Sequence, residues 1–237
     1  MIKIINNILS NNGYEIVDIQ LPDDKHDIFL FCPRKDHAKE EYFVTLQLNN
    51  ESDELAKELL QNSAEELFEI IRNSGKVESY FIKNCTLFIC HDEAHINKET
   101  IFTLEEDPYN FKKNVITYFP SELNDLKNYL EKNNINEISN LTISEIINSQ
   151  NGQLFLNFKK NHNNIQNYYS LILKIALKLP FITYIPQKKE LINLSLEIEK
   201  SLEGKESVLF KNLMEPEIDW NNNNIYQNIE KIWGNLI

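Results

Sequence analysis

Three short apolar segments in the first fifty residues decide the fold: Tyr14-Glu-Ile-Val-Asp-Ile-Gln-Leu21, Ile28-Phe-Leu-Phe-Cys32 and Tyr42-Phe-Val-Thr-Leu-Gln-Leu48. Polar segments with proline and charged residues separate them. Runs of about four to eight residues that are rich in β-branched and aromatic side chains and bounded by turn residues are typical of β-strands. We therefore predict three consecutive strands, with the uniformly apolar second one at the centre of a sheet.

Helical patterns lie on both sides of these strands. The segment Ile2-Lys-Ile-Ile-Asn-Asn-Ile-Leu9 has apolar residues at helical spacing, and Gly13 follows as a stop signal. After the third strand, Ser52 or Asp53 can cap a helix. A capping-box match that begins at Ser63 predicts that this helical region breaks into two helices.

Further along the chain, apolar runs predict strands at Tyr80–Ile82, Cys85–Cys90 and Thr100–Leu104. Asp107-Pro108 is typical of a helix start, because aspartate caps the helix and proline tolerates its first position. Phe111, Val115 and Tyr118 follow at helical spacing, so we predict a helix that stops before Pro120.

The second half of the sequence is mostly helical in pattern. Only Leu154–Phe158 is a candidate strand, and Thr142 with Glu145 is a further capping-box match. Apolar stripes at helical spacing occur in four segments: 121–130, 168–179, 191–202 and 225–236. We predict an α+β protein with an α/β domain of mixed sheet over residues 1–119 and a mostly helical domain over residues 120–237.

Composition and charge exclude several classes of protein. The formal net charge of −12 argues against a continuous basic face, so we expect any contact with DNA to be indirect or local, at pairs such as Lys112-Lys113 or Lys159-Lys160. No apolar run approaches the roughly 18 residues of a membrane-spanning helix, and the start of the chain lacks the pattern of a signal peptide. Three cysteines without a CxxC pair are typical of buried thiols in a reducing compartment. We expect a cytoplasmic protein without membrane contact.

One segment spells out the letters of a helicase motif. Asp92-Glu-Ala-His95 follows an apolar strand, as it does in proteins that hold magnesium and ATP. No phosphate-binding GxxxxGK[ST] loop accompanies it. Cys90, His91, Asp92 and His95 also offer metal-ligand types, but the order departs from HExxH. We interpret the segment as a polar loop after a buried strand, and Glu105, Glu106 and Asp107 as capping carboxylates at a helix start.

The first fifty residues also resemble the core of the restriction-endonuclease-like nucleases, which place an Asp on one strand and Glu-x-Lys or Asp-x-Lys on the next. Asp27 matches the first position, but Thr45 and Gln47 stand where the acid and the lysine would be. Thr45 and Gln47 point to the same face of their strand, as the acid and the lysine of a nuclease would, but they lack the carboxylate and the ammonium group. A degenerate fold of this type is one interpretation of the sheet. Glu41 and Lys39 leave a migrated active site as the alternative.

Two segments carry a second resemblance: Leu104-Glu-Glu-Asp-Pro-Tyr-Asn-Phe-Lys-Lys-Asn-Val-Ile-Thr-Tyr118 and Leu179-Pro-Phe-Ile-Thr-Tyr-Ile-Pro186. They are similar to patterns of the middle component of bacterial ABC-three-component systems, the group that includes the Lamassu anti-phage defence systems. The resemblance implies a subunit that works beside an SMC-like ATPase and an effector, often a nuclease. Around Phe111 we expect a buried aromatic face with exposed lysines.

The sequence thus indicates a non-catalytic adaptor of an anti-phage defence complex. We predict no catalytic, cofactor-binding or metal-binding residues and no cofactor. Two alternatives from other classes stay open: a metal-dependent nuclease with a migrated active site, and an immunity protein whose acidic surface binds a basic toxin.

Overall fold

A mixed β-sheet of five strands forms the centre of the fold. The computed structural model describes residues 1–19, 26–35, 39–48, 52–59, 63–184, 198, 200–213, 221 and 223–233. The strands are β1 (Tyr14–Val17), β2 (His26–Pro33), β3 (Tyr42–Leu48), β4 (Cys85–Asp92) and β5 (Lys112–Tyr118). They lie side by side in chain order; β1, β2 and β3 are antiparallel neighbours, whereas β3, β4 and β5 run parallel.

Helices make the connections that the parallel strands require, because after each strand the chain must return to the end of the sheet at which that strand began. The described helices are α1 (Ile2–Ser10), α2 (Asp53–Glu58), α3 (Ala64–Asn73), α4 (Lys98–Glu106), α5 (Pro120–Lys132), α6 (Asn140–Ile147), α7 (Gln153–Asn161), α8 (Tyr168–Lys178), α9 (Lys205–Leu213) and α10 (Ile225–Trp233). The crossover from β3 to β4 contains α2 and α3, and the crossover from β4 to β5 contains α4. Among the described residues, no helix is both long enough and apolar enough to cross a membrane.

Both faces of the sheet are covered, which explains why the central strands are apolar on both sides. On one face, Phe43 and Phe88 stack with their ring centroids 5.2 Å apart and pack with residues of α1, α5, α6 and α8. On the other face, Val44 and Leu87 pack with residues of α2, α3 and α4. The predicted α+β class with a mixed sheet is confirmed. Two helices, α2 and α3, are present, but Ser63 has helical φ and ψ angles and makes no side-chain capping hydrogen bond, so the capping box predicted there does not form.

Between β4 and α5, a predicted strand is a helix and a predicted helix is a strand. Thr100–Leu104 was predicted as a strand and lies in α4, and the helix predicted from Asp107 to before Pro120 is wrong because Lys112–Tyr118 forms β5. The consecutive β-branched residues Val115, Ile116 and Thr117 favour an extended backbone. Pairing with β4 then supplies the hydrogen bonds that a helix would have made within itself.

Two smaller strand predictions are also wrong. Leu154–Phe158 lies within α7, and Tyr80–Ile82 belongs to a 3-10 turn, Ser79–Ile82. Apolar runs of this length do not distinguish a strand from a partly buried helix. Neither segment is a strand of the sheet; Phe158 packs against the core on the α1 side, and Phe81 is buried in the core on the opposite face.

The chain divides into two compact units, Met1–Pro186 and Gln187–Ile237. The predicted domain boundary after residue 119 falls inside the first unit, because α5, α6 and α8 share a hydrophobic core with the sheet. The domain assignment itself stays a prediction. In the second unit, the stripe predicted over residues 225–236 forms α10 as far as Trp233, and most of the stripe over 191–202 lies outside the described residues.

The start of α2 contains a carboxylate whose ionisation stabilises the fold. Asp53 accepts hydrogen bonds from Lys57 Nζ at 2.6 Å and from the backbone N–H of Asn97 at 2.8 Å. These two donors, Lys57 first, hold the pKa of Asp53 well below its usual range. A carboxylate with a lowered pKa stabilises the folded state above about pH 4, and this stabilisation is lost as the pH falls towards the folded pKa.

We therefore expect Asp53→Asn to lower the free energy of unfolding at pH 7 by roughly 1 kcal/mol, the scale of one charge-assisted hydrogen bond near the surface. The difference from the wild type should shrink as the pH falls below 4. Urea unfolding at pH 7 and pH 3 measures both values. Glu54→Gln, an exposed neighbour in the same turn, is the matched control; it removes the same charge without the two hydrogen bonds and should have a clearly smaller effect at pH 7.

The turn before α7 contains two strained residues. Gln150 and Asn151 have φ angles of 54°, in the left-handed region that costs L-residues about 1–2 kcal/mol. Gln150→Gly should therefore raise the free energy of unfolding by about 0.5 kcal/mol, after allowance for the greater freedom of glycine in the unfolded chain. Gln153→Gly, where φ is −64°, should lower it. Thermal unfolding of the two variants tests this opposite sign; a loss of stability in both would contradict it.

Candidate functional site

The face of β2 and β3 that resembles a nuclease active site is assembled as the sequence predicts. In the strand register Asp27 lies opposite Gln47, and Phe29 lies opposite Thr45, so Asp27, Thr45 and Gln47 share one face. Asp27 is exposed, whereas Thr45 has no exposed surface. Asp27 therefore shares the face with a threonine and an amide in place of the second carboxylate and the ammonium group that a metal-dependent nuclease would need.

Helix α1 covers this place on the sheet. Gln47 Oε1 accepts a hydrogen bond from the backbone N–H of Ile2 at 2.8 Å, and Gln47 Nε2 donates to Tyr118 Oη at 3.0 Å. Thr45 Oγ1 donates to Asn6 Oδ1 at 2.8 Å. The amide of Gln47 thus connects β3 to α1 and to β5, and the hydroxyl of Thr45 connects β3 to α1. A charged side chain here would lose its hydration, so this arrangement suits packing between elements.

The alternative pair, Glu41 and Lys39, forms a cluster with Tyr14 at the other end of β3. Lys39 Nζ donates to Tyr14 Oη at 2.9 Å and lies 3.6 Å from Glu41 Oε1. The Tyr14 hydroxyl donates to Glu41, and burial together with this carboxylate raises the pKa of Tyr14 well above its usual value. Tyr14 therefore remains protonated, and its hydroxyl occupies one oxygen of the carboxylate.

The structure does not bring Glu41 to Asp27. Glu41 precedes β3, whereas Asp27 lies opposite Gln47 near the end of β3; six residues of strand, about 20 Å, separate positions 41 and 47. Within the described part of the chain, no group of three or more histidine, cysteine, aspartate or glutamate side chains is placed to hold a metal ion.

The segment with the letters DEAH has structural contacts at the end of β4. Asp92 Oδ1 accepts a hydrogen bond from Ala94 N–H at 2.9 Å and caps a 3-10 turn, Glu93–His95. Glu93 accepts from Lys174 Nζ at 2.6 Å, which ties the turn to α8. The predicted polar loop begins only after Asp92, because β4 continues through His91 and Asp92, which are buried, and Glu93–His95 then form the turn. Cys90 is in the core on the α1 side, and His91 contacts the Ser52 carbonyl, so the possible ligands do not converge.

The acidic cluster Glu105, Glu106 and Asp107 was predicted to cap a helix start, and this is wrong, because it lies at the C-terminal end of α4. Lysines hold two of the three carboxylates. Glu105 pairs with Lys178 at 2.5 Å and accepts the backbone N–H of Val115 at 2.8 Å. That N–H lies on the open edge of β5, so the glutamate and α8 cover an edge that would otherwise be free to pair.

The lysines of the first motif also differ from the prediction. Lys113 is buried, with 1% of its side chain exposed, and it donates to the Asp107 carboxylate and to the Tyr109 carbonyl at 2.7 Å. Tyr109 is exposed, so the expected buried aromatic and exposed lysine are reversed at these two positions. The expectation is correct for Phe111, which is buried, and for Lys112, which is exposed. The strand period of two, in place of the predicted helical period, places Lys113 on the same side of β5 as the buried Val115, whereas Tyr109 precedes the strand.

The second motif returns the chain to the sheet after α8. The ring centroid of Phe181 lies 5.2 Å from Tyr14 and 5.3 Å from Phe43. Beyond it, Tyr184 Oη donates to Asn148 Oδ1 at 2.7 Å. The motif therefore joins the sheet to the helical layer, and its last described residues reach the end of α6.

A feature that the sequence did not predict lies in the helical layer. An apolar groove of about 560 Å³ lies between α6, α7, α8 and the segment that follows α8. Phe155 and Leu156 from α7, Leu177 from α8 and Tyr184 form its exposed rim. The sequence predicted a strand at Leu154–Phe158 and therefore did not predict the groove, one wall of which is formed by Phe155 and Leu156 of helix α7.

The fold and the site together define an α+β protein in which the would-be nuclease positions serve to dock a helix. Residues 41–143 match the family described as ABC-three component (ABC-3C) system Middle Component 1. This match supports the resemblance to ABC-three-component middle components, and it contains the first motif and the strands β3, β4 and β5. It spans less than half of the chain. Searches of curated proteins and of solved structures returned no match.

Proposed function

We propose that this protein is a non-catalytic adaptor of an ABC-three-component anti-phage defence complex of the Lamassu type. Its partners would be an SMC-like ATPase and an effector nuclease, which the adaptor bridges and restrains in the cytoplasm until infection. The description of the matched family as the middle component of a three-component system supports the existence of partner components. The identity of the partners and the Lamassu assignment rest on the resemblance of the two motifs.

One observation carries the non-catalytic part of the proposal. Helix α1 occupies the sheet face where a nuclease of this type would bind metal and water, and it does so through hydrogen bonds to Thr45 and Gln47. The side chains at these two positions are used for packing between elements. A scaffold with this face closed is suited to arranging other proteins.

The competing function is a metal-dependent nuclease with a migrated active site. The observation in its favour is the short distance, 3.6 Å, between Lys39 Nζ and Glu41 Oε1. An immunity protein that binds a basic toxin is a further alternative, and the net charge of −12 suits such a partner. Each alternative predicts a different behaviour of the purified chain.

The test is co-expression with the proteins encoded by the neighbouring genes, followed by purification through a tag on this chain and size-exclusion chromatography with light scattering. We expect a stable complex that contains an ATPase and an effector. The purified chain alone should not cleave plasmid DNA with Mg²⁺ or Mn²⁺. Cleavage that Asp27→Ala or Glu41→Gln abolishes would establish the nuclease instead, and a complex with only a small basic protein would establish the immunity function.

A further inference from the structure

The rim of the apolar groove is unusually exposed for its composition. Leu177 is 85% exposed, and Tyr184, Leu156 and Phe155 are 55%, 48% and 43% exposed. Single exposed apolar residues are ordinary on protein surfaces, but several around one concave site mark an interaction surface. The volume of about 560 Å³ is large enough for several apolar side chains.

The lining of the groove determines what kind of group can enter it. Among the residues that the structure describes, no charged side chain lines it; the polar lining residues include Ser144, Asn148 and Asn151. A charged group buried there would lose hydration without a partner, so the inserted part of an occupant is uncharged. Gly152 adds free space, since a Cβ there would meet no atom within 4 Å. Three walls are helices, and the described part of the segment after α8 belongs to no sheet, so the groove offers no sheet edge and favours a helix over an added strand.

The charge at one end of the groove indicates which charge the bound segment should carry. Lys159 and Lys160 lie one turn beyond Phe155 and Leu156 on α7, on the same side of the helix. Both lysines are exposed and form no ion pair within the described residues, and α7 has no acidic residue. Glu145, the single carboxylate of α6, does not line the groove. In a chain of net charge −12, this end of the groove is locally basic.

We propose that the groove binds an amphipathic helix of another component of the same complex. Its apolar residues, at helical spacing, would enter between α7 and α8, and its acidic residues would lie against Lys159 and Lys160. This inference rests on the proposed adaptor function and assigns it a surface. The apolar contacts would supply affinity, and the lysines would supply orientation and association rate.

The test uses the full chain co-expressed with the components encoded by its neighbouring genes. Leu177→Asp and Leu156→Asp place a charge in the rim at exposed positions, and each should weaken binding of the partner about tenfold or more in biolayer interferometry. Phe102→Asp on α4, at a position 60% exposed and outside the groove, is the matched control and should bind as the wild type does. Thermal unfolding checks that the variants fold.

Two further measurements identify the occupant. Lys159→Glu with Lys160→Glu should weaken binding at low salt, with a smaller effect at about 0.5 M salt, whereas Lys127→Glu with Lys132→Glu on α5 should not. Photo-crosslinking from p-benzoylphenylalanine at position 177 should map to an acidic, amphipathic helical segment of a partner component. Cross-links to an extended or basic segment, or to a second copy of this chain, would overturn the inference.

The failure of the inference is distinguishable from the failure of the adaptor function. If the wild-type complex forms and the Leu177→Asp and Leu156→Asp variants retain it, the groove is not the docking site and the adaptor function stands. If the wild-type chain forms no complex with its neighbours, the adaptor function fails and the inference fails with it.

Discussion

Replacement of Thr45 by aspartate is expected to lower the free energy of unfolding by about 4 kcal/mol, a large part of the total stability of a typical domain. Thr45 has no exposed surface, and its hydroxyl donates to Asn6 Oδ1 on α1. Aspartate would place a carboxylate beside that amide oxygen, in a position that excludes water, and the hydrogen bond would be lost. Urea unfolding followed by circular dichroism measures the change.

Thr45→Val is the control for this prediction. It keeps the shape of the side chain and removes one hydrogen bond, so we expect a loss of only about 1 kcal/mol. The double variant Thr45→Asp with Gln47→Lys restores the Asp-x-Lys pattern of the nucleases, and we expect it to be destabilised without Mg²⁺-dependent cleavage of DNA. A stable double variant that cleaves DNA would show that α1 does not close this face, and the proposed function would then be wrong.

The second large effect is expected at the buried lysine of the first motif. Asp107→Ala should lower the free energy of unfolding by about 3 kcal/mol, because it leaves the ammonium of Lys113 buried without its carboxylate. The carbonyls of Tyr109 and Phe111, at 2.7 and 3.3 Å, would remain as its hydrogen-bond partners. Thermal and urea unfolding at pH 7 measure the loss.

Glu106→Ala is the matched control, since Glu106 is the exposed neighbour of Asp107 and the substitution removes the same charge. We expect it to change stability by less than about 0.5 kcal/mol. Combining Asp107→Ala with Lys113→Met should recover part of the stability, because no charge is then left in the core. If the losses of the two single variants simply add, Lys113 and Asp107 are not coupled and this account of the motif is wrong.

The charged residues of the first motif, Leu104–Tyr118, differ in their structural roles. In the first motif, Glu105 and Asp107 are held by lysines that connect α4, β5 and α8, and Lys113 is part of the core. Tyr109 and Lys112 are exposed and belong to no described ion pair. Substitution of Tyr109 or Lys112 should therefore leave stability unchanged. If such a substitution weakens complex formation, the residue is in contact with a partner.

Much of the site could be predicted from the sequence because it depends on local alternation along one strand. Thr45 and Gln47 are two residues apart on a strand that is flanked by turns, so they share a face whatever the rest of the chain does. That α1 would cover them could not be predicted. Ile2 and Asn6 contact Gln47 and Thr45 across about forty residues, and no periodicity of either segment encodes that contact.

The sequence by itself determined the three-strand meander, β4 and the first helix, since each follows from hydrophobic period and turn residues within about ten positions. Only the tertiary structure decided that Lys112–Tyr118 is a strand, that Leu154–Phe158 is helical and that Lys113 is buried. At these places the local pattern fitted both periods, and the choice was made by hydrogen bonds to β4, by packing against α8 and by the carboxylate of Asp107, all of which come from elsewhere in the fold.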